Sequence, residues 1–168
     1  GLCETLIFGE QFEINYLNPF QLYLIAQNMS ESDSGKANLR ESVDFSYRIV
    51  DGFQIYGELA VDEARLVVKP LNNWDTIFGI LGGFYITDPL RLSDTDLRIE
   101  YAFTNQYFYT YHQPLNNYKH IESPIGHWMG TDADDLWCEL KHRFTGRLET
   151  ALSYELERHG EGDIDTPH

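Results

Sequence analysis

Alternation of apolar and polar residues runs through most of this chain, and a period of two is the spacing of side chains on a β-strand, not on a helix. Val43, Phe45, Tyr47 and Ile49 alternate with Asp44, Ser46 and Arg48. Asp51-Gly52 follows, a pair suited to a tight hairpin turn. Beyond it Phe53, Ile55, Leu59 and Val61 alternate with Gln54, Glu58 and Asp62. A further strand sets Leu97, Ile99, Tyr101 and Phe103 against Asp96, Arg98 and Glu100. A second hairpin carries Leu136, Cys138, Leu140 and Phe144 against Trp137, Glu139, Lys141 and Arg143. After Thr145-Gly146 it returns as Leu148, Leu152, Tyr154 and Leu156 against Glu149, Ser153, Glu155 and Glu157. His142 alone breaks the apolar face of that hairpin.

The remaining segments extend the pattern. Residues 74–86 are expected to form a strand whose glycines permit a bend or a close approach, and residues 106–113 a tyrosine-rich strand. Residues 5–8 and 12–16 are short strand candidates, and Pro19 opens a possible short helix near residues 19–27. Residues 30–37 and 87–95 are expected as loops, and residues 114–135 as a long irregular connection holding two of the six histidines. The expected class is all-β: an antiparallel meander of hairpins.

A chain of 168 residues has the length of one domain. Its formal charge of −15 rules out attraction to nucleic acid phosphates as a main function. No apolar run reaches the ~18 residues of a spanning helix. A spanning β-strand needs only one apolar residue in two, so the mean hydropathy of −0.40 leaves a membrane barrel open. Cys3 and Cys138 have neither disulfide-framework nor metal-ligand spacing, and no cofactor is expected.

Two architectures produce strands with one apolar and one charged face. In a soluble sandwich the apolar face is the core; in a membrane barrel it meets lipid and the charged face lines a polar lumen. Arg48, Arg98, Glu100, Lys141 and Arg143 are then candidate lumen charges. Periodicity alone does not separate the two. Tyr47, Phe103, Phe144 and Tyr154 lie near strand ends, where a barrel carries aromatic girdles and a sandwich packs its core.

The ordered segments YLNPF, YGELAVDE, RIEYAF, YTYHQ and PIGHWMGTDADD, running from residue 16 to residue 135, resemble the Wzi-like capsule assembly family. The resemblance implies an outer-membrane β-barrel of the bacterial surface, lectin-like and without catalysis, whose partners are capsular or extracellular polysaccharide and outer-membrane lipid. It also implies a barrel larger than this chain, so that residues 1–168 are expected as a single portion from the later part of such a protein. A complete small barrel, and a soluble all-β carbohydrate-active domain, stand as the alternatives.

Aromatic rings can stack on sugar C–H faces while nearby polar groups fix orientation. Tyr107, Tyr109, Tyr111, His112, Tyr118, Lys119 and Trp128 are the candidates for such contacts, and the alternative for Tyr109 and Tyr111 is plain packing. Asp132, Asp134 and Asp135 offer oxygens to a hard cation, or simply form a solvated turn; Arg143 stands where an EF-hand would need Glu. His112, His120 and His127 match no metal spacing. Glu100, Glu139, Glu155 and Glu157 could pair as glycosidase carboxylates, yet interleaved Arg and Lys favour salt bridges. Because many capsule polymers are acidic, Arg98, Lys119, Lys141 and Arg143, or bridging divalent ions, would have to make the contacts.

Overall fold

The computed structural model describes residues 1–8, 37–62, 77–112, 114–121 and 123–165. Nine strands occur among them: β1 Leu2–Phe8, β2 Ala37–Val50, β3 Phe53–Asp62, β4 Ile77–Thr87, β5 Thr95–Thr104, β6 Lys119–His120, β7 Ser123–Pro124, β8 Ala133–Thr145 and β9 Leu148–His159. Seven of them form one antiparallel meander in the order β1-β2-β3-β4-β5-β8-β9, while β6 and β7 pair only with each other. β1 and β9 are its two edges, so the described residues make an open sheet. The expected helix at 19–27 and strand at 12–16 lie outside the described residues. No described helix is long and apolar enough to cross a membrane.

Local chemistry sets the register. The Asp51-Gly52 turn, with Gly52 at φ +80, pairs Tyr47 with Ile55 and Arg48 with Gln54. The same register carries back to Val43 opposite Leu59 and Arg40 opposite Asp62. On one face this aligns Phe45, Leu59, Ile80, Phe84, Ile99, Leu140 and Leu152; on the other it aligns Ser46, Tyr56, Glu100, Trp137 and Glu155. Arg48, Arg98, Glu100, Lys141 and Arg143 share the polar face.

The tyrosine-rich segment departs from expectation. Residues 106–109 form turns rather than a strand, closed by the Phe108 N–H donating to Asn105 O at 3.1 Å and the Thr110 N–H to Tyr107 O at 3.1 Å. They do not pair beside β5, the strand they follow, because β4 and β8 occupy both of its sides. Residues 105–132 therefore fold back over the polar face near Ala102 and Ala133, where Met129 and Leu81 complete a small apolar core. Gly79 makes this possible: a Cβ there would stand 2.6 Å from the Phe108 ring.

Arg40 joins sheet and segment. Its guanidinium is 2.9 Å from Asp62 Oδ2, donates to Phe108 O at 2.6 Å, and lies 4.1–4.7 Å from the ring centres of Phe108, Tyr109 and Tyr118. Both charged side chains are almost wholly buried. Removing one partner of a buried pair strands the other charge, at about 3–5 kcal/mol. Asp62→Ala is therefore expected to lower the denaturant midpoint of the full-length protein far more than the exposed Asp44→Ala, as read by equilibrium unfolding.

Candidate functional site

Among the described residues two concavities share the polar face. The larger, about 480 Å³, lies toward the short-turn end of β2 to β5 and β8 and is lined by Ser46, Gln54, Tyr56, Tyr85, Asp96, Arg98, Glu139 and Lys141. The smaller, about 350 Å³, lies under residues 105–132, with Arg40, Glu58, Tyr109, Tyr118, His127 and Met129 among its walls.

A glycine opens the first site. Gly83 stands between Tyr56 and Glu100 in register, and a Cβ there would sit 2.7 Å from the Tyr56 ring and from Ile99 O. Without one, Tyr56 lies across β4 and donates its hydroxyl proton to Glu100 Oε2 at 2.7 Å, while accepting from Arg98 Nε at 2.9 Å. Arg98 also meets Glu100 at 2.8 Å, and its guanidinium lies 5.6 Å and 5.3 Å from the Tyr56 and Trp137 ring centres. Gln54 donates to Ser46 Oγ at 2.7 Å, and Glu139 stands opposite Arg98. Lys141 and Arg143 converge on Glu149 at 3.3 and 3.1 Å. Arg48 is exposed, opposite Gln54.

The second site is an aromatic stack. Tyr109 and Tyr118 rings lie 5.6 Å apart at 12°, and Phe108 meets Tyr109 at 4.7 Å. The Tyr109 hydroxyl accepts from the His127 N–H at 2.7 Å, and the Tyr118 N–H donates to Tyr109 O at 2.9 Å. Tyr109 and Tyr111 are 4% and 2% exposed; the Tyr111 N–H donates to Asn117 Oδ1 at 2.8 Å. Tyr107 is half-buried, His112 exposed, and Lys119 ion-paired with Asp165. Trp128 is 54% exposed. The candidate sugar-contact residues thus divide into an inward set, Tyr109 and Tyr111, and a set reaching the surface.

The three aspartates do not converge. Asp132 accepts from the Gly162 N–H at 2.7 Å, Asp134 takes a two-pronged bond from Arg158, and Asp135 points to the opposite sheet face from Asp134. Among the described residues no group of three or more His, Cys, Asp or Glu side chains is placed to hold a metal ion. His142 is absorbed by a 2.8 Å hydrogen bond with Thr95 Oγ1 and an edge contact with Phe144.

Sequence reasoning missed Arg40, Asp62 and Tyr56. The first two were findable: extending the register of the Asp51-Gly52 hairpin sets a cation opposite an acid. Tyr56 carried no signal of its own until Gly83 is known to lie beside it.

Two expectations follow. Gly83→Ala should displace Tyr56 and cost about 1–3 kcal/mol, whereas Gly82→Ala, whose Cβ meets nothing within 4 Å, should leave the unfolding midpoint unchanged. Burial pushes the Tyr109 hydroxyl above the ordinary phenol value, against smaller opposing pulls from the His127 N–H and Arg40. The folded state therefore holds that proton more tightly, so its contribution is complete below the unfolded pKa of about 10 and is lost as pH rises through the raised value. An alkaline stability series should show this decline in the wild type and its reduction in Tyr109→Phe.

A family model described as capsule assembly protein Wzi matches residues 4–167. No curated protein matches the chain, and no solved structure does.

Proposed function

Since the chain belongs to the capsule assembly protein Wzi family, we propose that it forms a wall of an outer-membrane β-barrel that binds capsular or extracellular polysaccharide at the bacterial surface, without catalysing a reaction. The observation that carries this is the one-sided exposure of large apolar groups. Phe45, Tyr47, Leu152 and Tyr154 are 55%, 63%, 72% and 58% exposed on a single sheet face, with Val43, Leu59, Ile80 and Leu156 beside them. Soluble monomers rarely expose apolar patches beyond a few hundred Å², whereas lipid is the natural solvent for such a face.

Connection lengths support an orientation. β2–β3 and β8–β9 turn within two residues, and residues 88–94 join β4 to β5; the opposite end carries the longer β5–β8 connection, residues 105–132. Outer-membrane barrels place short turns in the periplasm and long loops outside. Residues 105–132 then face the exterior, where Trp128, His112, Tyr107, Tyr118 and Lys119 meet the polymer, and Tyr109 and Tyr111 hold the segment in shape. Arg48, Arg98, Glu100, Lys141 and Arg143 face the lumen.

Single cysteines in the full-length protein, labelled with a fluorophore and reconstituted with lipid quenchers, test the membrane assignment. Quenching is expected at Ile99→Cys and Leu152→Cys but not at Arg98→Cys or Ser153→Cys. Protection of all four from lipid would discard the barrel in favour of a soluble carbohydrate domain. Trp128→Ala is expected to weaken polysaccharide binding severalfold, as measured by calorimetry.

A further inference from the structure

The cleft over the polar face carries no surplus positive charge. Asp96 and Glu139 stand with Arg98 and Lys141, and these two cations are also met by Glu100 and Glu149. Gln54 and Ser46 add an amide and a hydroxyl, and Tyr56 and Tyr85 add two rings. Donors and acceptors therefore alternate over a ring-lined floor of about 480 Å³, within the roughly 300–1,000 Å³ of small-ligand sites. Pyranose hydroxyls each donate and accept, and C–H faces pack on aromatic rings, so an uncharged sugar satisfies such a surface.

A carboxylated sugar does not. It would bring its negative charge beside Asp96 and Glu139, inside a chain whose summed field is already negative. The two cations offer it little in return, because each is already engaged: Arg98 by Glu100 and the Tyr56 hydroxyl, Lys141 by Glu149. The site is also pre-set, since Gly83 lets Tyr56 lock Arg98 before any ligand arrives. A locked donor loses less freedom on binding than a free side chain.

We propose that this cleft is a binding subsite for one or two uncharged hexose rings, stacked on Tyr85 and hydrogen-bonded by Gln54, Asp96, Arg98 and Glu139, with Tyr56 as the positioning residue for Arg98. The subsite rests on the polysaccharide-binding reading, and the test separates the two. Oligosaccharides cut from the producing bacterium's own surface polymer are titrated into the full-length protein in detergent micelles, before and after chemical reduction of their carboxyl groups to alcohols. Wild-type protein is expected to bind the reduced fragments at least as tightly as the native ones. Ser46→Trp, which fills the cleft, is expected to weaken both by about tenfold or more, the loss of roughly one stacking contact and one hydrogen bond. Should Ser46→Trp not fold, Gln54→Ala together with Glu139→Gln serves the same comparison.

Wild-type affinity in the folded cleft variants, or binding abolished by carboxyl reduction, overturns the subsite while leaving surface binding of the polymer standing. Failure of the wild type to bind either native fragments or intact polymer overturns the polysaccharide reading itself, and the subsite with it.

Discussion

A guanidinium is stable in a protein interior only if its charge is met there. Arg40 Nη2 is met from two directions, by Asp62 across the β2–β3 pair and by the Phe108 carbonyl, and three aromatic rings from residues 105–132 pack on the cation, while Nε and Nη1 are buried with no hydrogen-bond partner among the described residues. Neither set alone would bury it. The β5–β8 connection is thereby fixed to the sheet, together with the Asn38 Nδ2 bond to Asn116 O and the Thr104 Oγ1 bond to Gly130 O, and local contacts add the Tyr109–Tyr118 stack, the Asn117 bond to the Tyr111 N–H, and the Thr131 bonds to Asn105 O and Gln106 O. The smaller concavity exists because this segment is held over the polar face.

The two sheet faces solve opposite problems. On the apolar face, Phe45 packs over Gly57, where a Cβ would stand 2.9 Å from its ring, and long side chains otherwise project outward with no second described layer above them. On the polar face, glycines let aromatic side chains lie flat: Phe108 at Gly79 and Tyr56 at Gly83. The Tyr56 hydroxyl bonds both Glu100 and Arg98, so Arg98 is held by hydrogen bonds and rings together rather than by a lone surface ion pair, which would contribute little. A rigid polar floor with fixed donors and acceptors suits a ligand with many hydroxyls.

Much of this was legible beforehand. Alternation and the Asp51-Gly52 turn predicted the β2–β3 pairing, and the residues expected on the charged face of β5 and β8 lie there. The glycines of β4 were read as sites of close approach, and two of them are. Residues 106–113 misled because Tyr107, Tyr109 and Tyr111 alternate as they would in a strand, yet both sides of β5, the strand they follow, are already taken by β4 and β8. The buried pair was hidden for a related reason: Arg40 and Asp62 look like solvated ends of their strands until a segment distant in sequence covers them.

The sequence by itself determined the strands, their hairpin register and which side chains share a face, since these depend on backbone geometry and on residues close along the chain. Its ordered segments also carried the family resemblance. Only the tertiary structure decided which polar residues are buried, where the tyrosines of residues 105–132 point and how Tyr56 reaches Arg98. Those outcomes depend on contacts between segments far apart in sequence, at places where a missing Cβ leaves room for someone else's ring.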